Sequence, residues 1–327
     1  MTLLQNCSVA FRRHSARGCR LTCCHFAHGW PLSSSRFAHG RRISHRHITR
    51  GWCAGMTRAM LTLLLLPCTL WGQSPDTTRG HAQFSIFPEK RLFPRLLADG
   101  TSHQLGIDKD LLTRQWIGHI GAVRPVAEVT FCGHAVQVGI GATVHTSILR
   151  EPGVLQVVTA DFSVDFPVDI QVSSALTLRT GYGHFSAHLV DDGIEILQKQ
   201  SVNYAKDFVT LLGAFALPVI GGHLYGGGRW DFHSLPEESK HWTVQCGFEA
   251  GNVLLWPEVR LYAAMDLKLK SEVAWGSTQS YQLGVKLFER NDSALRVTYT
   301  YRTGIDDRGQ FYREKSEFSL VGVFFDF

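Results

Sequence analysis

The segment His184-Phe185-Ser186-Ala187-His188, followed by Asp191 and Asp192, holds the residue types that acyl-transfer chemistry uses. Side chains on an extended strand alternate faces, so His184, Ser186 and His188 share one side. There an imidazole can lie beside the hydroxyl it would deprotonate, and a carboxylate such as Asp191 can orient that imidazole. The plainer reading is a set of polar residues beneath a loop, and His145-Thr146-Ser147 repeats the same spacing elsewhere. A second group, Asp161, Ser163, Asp165 and Asp169, recurs at alternate positions. It suits cation selection in a passage, or pairing with Arg and Lys on neighbouring strands, which is the simpler expectation. Gly226-Gly227-Gly228 has neither the ending nor the following helix of a phosphate loop. Cys23-Cys24-His25 and His45-Arg46-His47 lack the paired frame that zinc needs. No metal site and no cofactor is expected.

The chain that must position these residues has 327 of them, 44% hydrophobic, with a mean hydropathy of −0.03. That balance fits neither a disordered chain nor a helical membrane protein. The formal net charge of +5 is unevenly divided. No Asp or Glu precedes Asp76, whereas ten arginines do; the rest holds 23 basic against 28 acidic residues, a net of −5. A uniformly basic nucleic-acid-binding protein is thereby excluded. Six of the eight cysteines also precede residue 75, which excludes a disulfide-dense scaffold. Cys132 and Cys246 are expected to be two isolated thiols.

Met56-Thr57-Arg58 is a short basic start, followed by the apolar run 59–66, a break at Pro67 and the small or polar residues Gly72-Gln73-Ser74. This reads as a bacterial secretory signal over 56–73, too short in its apolar core to span a bilayer. Met56 is the expected start, with 1–55 upstream sequence translated in error or a disordered basic segment. Cys68 follows Pro67 directly, which suits a lipid-attachment box poorly. Residues 74–101, with Phe87-Pro88 and Phe93-Pro94, read as a non-strand leader, either a periplasmic tail or a plug.

Beyond the leader the period is close to two. In 260–270, Leu261, Ala263, Met265, Leu267 and Leu269 alternate with Arg260, Tyr262, Ala264, Asp266, Lys268 and Lys270. Leu283 and Val285 alternate with Gln282 and Lys286, and Leu295, Val297 and Tyr299 with Arg296, Thr298, Thr300 and Arg302. A soluble sandwich also alternates, but its strands cluster near about 5–6 residues and these are far longer. Tight turns at 172–173, 217–218 and 291–292 alternate with longer polar connections at 190–201, 234–239, 271–277 and 304–312. The expected fold is all-β: an antiparallel transmembrane up-and-down barrel over 102–327, with about 12 strands (10–14 possible). Arg260, Asp266, Lys268, Lys286, Arg296, Arg302, Asp161 and Asp165 are expected to line its interior. The earliest strands are the least regular, since Arg124-Pro125 interrupts one of them.

The ending Leu320-Val-Gly322-Val-Phe-Phe325-Asp-Phe327 resembles the C-terminal β-signal of bacterial outer-membrane proteins. That resemblance implies that Leu320, Gly322, Phe325 and Phe327 carry an address read by the barrel-assembly machinery. The segments 92–99 (LFPRLLAD), 160–167 (ADFSVDFP), 186–192 (SAHLVDD), 224–228 (LYGGG) and 309–314 (GQFYRE) resemble an uncharacterised family of exported bacterial proteins, a domain of unknown function, over about 84–327. Here Gly100-Thr101 stands where that family usually has Pro-Arg, and Val190-Asp191-Asp192 where it favours Gly-Asp-Glu. The resemblance implies a barrel and brings no activity. The His-x-Ser spacing at 184–186 is similar to that of outer-membrane lipid A deacylases. The first expectation is therefore an outer-membrane barrel, a narrow channel or structural surface protein, in contact with outer-membrane lipid and the assembly machinery but not with nucleic acid. Alternatives are an outer-membrane lipid esterase using His184 and Ser186, and a soluble periplasmic β-protein.

Overall fold

The computed structural model describes residues 82–131, 133–237 and 239–327, with Asn252 described for its backbone alone. The expectations for the upstream segment 1–55, the signal at 56–73, lipidation at Cys68 and the thiol of Cys132 fall outside these residues. Thirteen strands follow in order: β1 (Gln83–Ile86), β2 (Leu105–Asp110), β3 (Gln115–Phe131), β4 (His134–Glu151), β5 (Val154–Gln171), β6 (Leu176–Leu189) and β7 (Tyr204–Leu217). Then come β8 (Gly222–Leu235), β9 (Trp242–Trp256), β10 (Val259–Lys270), β11 (Gly276–Arg290), β12 (Ser293–Ile305) and β13 (Lys315–Asp326). Each strand from β2 onward pairs antiparallel with the next, and β13 returns to β2, so twelve strands close into a barrel. Closure removes the free edges that an open sheet of such length would present.

The sorting of side chains is the reverse of a soluble core. Among the largest fully buried side chains are Arg296, Lys206, His119, Asp110 and Asp231. Their alternation partners on the outer face are apolar and exposed, such as Ile120, Leu211, Val253 and Leu283. At the end that carries the tight turns, the outer face bears exposed Phe131, Phe215, Trp256, Phe288 and Phe325; at the opposite end it bears Trp242 and Trp275.

The first strand is split. β4 pairs with β3 along the whole of Ala127–Phe131, so β1, which pairs with Ala127–Thr130, must lie on the other edge of β3. That is the edge on which β2 pairs with Trp116–His119. Both run antiparallel to β3, so β1 and β2 are two halves of one strand position. The chain between them, 87–104, leaves the wall and turns inward. Pro125, the residue that interrupts the alternation, lies in the gap where no strand pairs with β3 on that edge. A proline's missing N–H costs least at such a place, and a register shift between Pro125 and Ala127 absorbs the irregularity.

The inward segment fills the interior. Phe93 and Leu96 pack with Leu212, Ala214 and Tyr225 from β7 and β8, and Leu97 and Ala98 with Tyr262 and Ala264 from β10. The connection between β12 and β13, 306–314, folds inward at the opposite end. Phe311 packs on Val158 and Leu189, and Gln310 donates to the carbonyls of Ala187 and Val202. Gly309 is required there: a Cβ would lie 2.5 Å from Ala187 Cβ and from the Tyr204 ring. The polar connection expected at 190–201 contains a short helix, α1 (Asp191–Leu197).

Candidate functional site

The interior is a network of paired charges built between the wall and segment 87–104. Alternation places Asp266, Lys268, Arg296, Arg302 and Asp161 on the inner face, all buried. Arg260, Lys286 and Asp165 share that face but are more open toward solvent. Several of these charges are paired. Lys268 Nζ donates to Asp99 Oδ1 at 2.6 Å and to Thr101 Oγ1 at 2.9 Å, and lies 3.3 Å from Asp307. Asp99 accepts further hydrogen bonds from Thr101 N and Oγ1 and from Gln245 Nε2. Asp307 pairs with Lys270 at 2.8 Å. Arg296 makes a two-pronged pair with Asp326, and Arg179 another with Asp169. Of the acidic run on β5, Asp169 has Arg179, Asp165 has His103 at 2.9 Å, and Asp161 accepts from Gly309 N.

The two carboxyls outside the strands reflect this setting. Burial opposes ionisation of Asp99, but Lys268 overcomes it and holds the group below its ordinary value. Burial likewise opposes ionisation of Asp307, and Lys268, Lys270 and Arg302 hold it well below its ordinary value.

The C-terminal residues expected to carry an address fall on both faces. Leu320 and Gly322 point inward, and Phe325 points outward. The carbonyl of Phe327 accepts from Arg95 at 2.9 Å and from Arg91 at 3.4 Å, while Arg124 lies over its ring. The interior of the described residues keeps cavities. One of about 170 Å³ lies between segment 87–104 and the wall near Arg229 and Lys270. Another, of about 330 Å³, lies near His223, Glu249 and Lys286.

His184, Ser186 and His188 project from the outer face of β6, whose pairing with β5 and β7 is free of register shifts. Neither Asp191 nor Asp192 orients His184. Both lie in the first turn of α1, where Asp192 accepts from Val157 N. The carboxylate that does bond His184 is Asp207 of β7, its directly opposite residue, at 2.7 Å from Nδ1. Asp207 also bonds His233 Nδ1 at 2.9 Å and accepts from the Tyr182 hydroxyl at 3.2 Å. A register shift between Asp207 and Phe208 lets Phe232 and His233 both face outward, which brings His233 to this group. The Ser186 hydroxyl has no hydrogen-bond partner among the described residues. His145 and Ser147, which repeat the spacing, face inward instead, bonded to His119 and Arg308. Cys246 is a free thiol on the outer face of β9. Among the described residues, no cluster of His, Cys, Asp and Glu is arranged to hold a metal ion.

The fold and its inverted side-chain sorting define a closed antiparallel β-barrel with an occupied interior. The chain belongs to the DUF1207 family, proteins of unknown function, whose model matches residues 85–327. The chain is similar to two solved structures at low identity. OprD of Pseudomonas aeruginosa is 9% identical, with 72% of this chain and 71% of that chain covered and a TM-score of 0.28. A doubly substituted OccD1 (OprD) is 10% identical, with 79% and 73% covered and a TM-score of 0.29. No curated protein matches the chain.

Proposed function

We propose that the chain is a barrel of the bacterial outer membrane, acting as a narrow passage held shut at rest by segment 87–104. The observation that carries the membrane reading is the inversion: buried Arg296, Lys206 and Asp231 inside, exposed Leu211, Val253 and Leu283 outside. In water that outer face would be an aggregation surface, whereas in hydrocarbon its apolar side chains cost nothing and most of the charges are kept from lipid. Aromatic residues at both ends suit the two membrane interfaces. With that orientation the tight turns and Phe327 face the periplasm, and 190–203 and 306–314 face outward. The C-terminal strand is the element that the assembly machinery would engage.

The interior pairs support a closed state, since moving the segment breaks the contacts of Asp99, Leu97 and Arg95 with the wall. Refolding the full chain into lipid vesicles and a planar bilayer tests both parts. Heat-modifiable migration on a gel, with little steady conductance at rest, is the expected result. Large open steps in the unaltered protein would refute the shut passage. A chain that stays soluble without detergent and shows no heat-modifiable form would refute the membrane reading.

A further inference from the structure

The outer wall carries a polar cluster centred on Asp207. Asp207 lies on the outer face, between Ala205 and Val209, where an apolar residue would serve the wall at no cost. A charge on the lipid side of a barrel is destabilising. Yet the carboxylate is held by three donors, from Tyr182, His184 and His233, and one of them reaches it only through a register shift in β8. The His184 ring offers Nδ1 to Asp207, which leaves Nε2 unengaged. Ser186 is on the same strand and face, about 6.6 Å further along at two residues of rise. An imidazole, a hydroxyl and a hydrogen bond between them cover that span. In sequence order the three are His184, Ser186 and Asp207; Asp207 is hydrogen-bonded to His184, and Ser186 follows on the same face of the strand.

The surroundings are apolar. Phe162 stands opposite Ser186 on one side and Ala205 on the other, and Phe166, Trp230 and Phe232 continue the surface nearby through ring contacts with Tyr182 and with each other. Such a wall suits acyl chains lying along the barrel.

We propose that Ser186, His184 and Asp207 form an acyl-ester hydrolase site on the outer face, acting on the ester of a membrane lipid. This rests on the reading that the outer face meets lipid. Ser186 Oγ bonds to the ester carbonyl carbon as its proton passes to His184 Nε2. The adduct collapses with breakage of the carbon–alkoxy bond, and the alcohol leaves with that proton. Water then adds to the acyl-serine, giving a proton to His184, and the fatty acid departs as that proton returns to Ser186 Oγ. The net change is ester plus water to acid plus alcohol, with no oxidant, reductant or metal. Ser186 and His184 are the catalytic residues. Asp207 is a positioning residue, which holds the imidazole in the tautomer with Nε2 free to accept.

The test uses the full chain refolded into detergent micelles mixed with phosphatidylethanolamine, with 4-nitrophenyl decanoate as a second probe. Heat-modifiable migration is recorded for each variant. The unaltered protein should release fatty acid, and Ser186→Ala should lower the rate by about a hundredfold or more. Asp207→Asn should lower kcat with little change in KM, Asp207→Glu should restore part of it, and a fluorophosphonate probe should label Ser186 by mass spectrometry. A folded barrel that releases no more fatty acid than Ser186→Ala, or that is labelled elsewhere, overturns the proposal and leaves the membrane reading standing. Absence of heat-modifiable migration in the unaltered protein overturns the membrane reading, and the site with it.

Discussion

Replacing Lys268 by Met tests whether the interior is held shut by the charges around Asp99. The ammonium is buried and donates to Asp99 and Thr101 while pairing with Asp307. Removing one partner of a buried pair costs about 3–5 kcal/mol, because the remaining charge is stranded. Here the cost belongs at the lower end. Asp307 keeps Lys270 at 2.8 Å, and Asp99 keeps donors on Thr101 and Gln245. About 3 kcal/mol corresponds to roughly a hundredfold shift from docked toward released segment, at about 1.4 kcal/mol per tenfold. Hydrogen exchange reads this directly. The amides of Leu97, bonded to Glu249 Oε1, and of Thr101 and Ser102, bonded to Asp99, should lose roughly a hundredfold in protection. Amides in the middle of β11 and β12 should keep theirs. Bilayer conductance should rise in step with the loss. Unchanged protection at 97–102 in a folded variant would refute the idea that this network anchors the segment.

Acid should act on the same anchor with a definite sign. Asp99 and Asp307 both ionise below their ordinary value of 3.8 in the folded chain, so their stabilisation is complete above 3.8 and disappears only as pH falls through the lower, folded values. Protection of Thr101 and Ser102, whose amides bond Asp99, should therefore be flat between about pH 5 and 7 and fall only in stronger acid, and a loss there near neutral pH would contradict this. Leu283→Arg, on the outer face, should cost about 2–4 kcal/mol in folding into vesicles, whereas Lys286→Arg, on the inner face and half-buried, should fold normally; equal yields would reverse the assignment of faces. Deleting Phe327 removes the group held by Arg91, Arg95 and Arg124, and should leave export intact while trapping the chain unfolded in the periplasm. Normal outer-membrane levels of that deletion would count against an assembly role for the terminal aromatic.

Barrel strands were legible because alternation is a local property. The set Leu261 to Leu269 against Arg260 to Lys270 maps directly onto β10 and its two faces. What periodicity cannot report is which residues of distant strands meet. Gln282 reads only as a polar alternation position, but it accepts from the Tyr262 hydroxyl and donates to Thr300, so an arginine there would break a buried network. Arg296 reads as a charge lining the interior, and periodicity does not report that it is clasped by Asp326. Asp207 was invisible as a partner of His184 because it lies on the next strand, and His233 because a register shift moves it off the simple alternation. Asp191 was attractive only through nearness in sequence, which α1 then carries away from the strand.

The inward segment was ambiguous in sequence for a related reason. Phe93, Leu96, Leu97 and Ala98 form an apolar stretch without a period, which suits a tail as well as a plug. β1 and β2 sit on one edge of β3, so both ends of 87–104 are pinned to the same strand. A segment tethered at one end can leave the barrel as a free tail, but one tethered at both can only swing as a flap within the reach of its own length. Its release therefore loses contacts such as Leu97–Glu249 and Arg95–Phe327 while gaining little chain entropy, since both ends stay fixed. That keeps the docked state favoured without a large interaction energy. It also means that a charge change as small as Lys268→Met can shift the balance while β2–β13 remain closed.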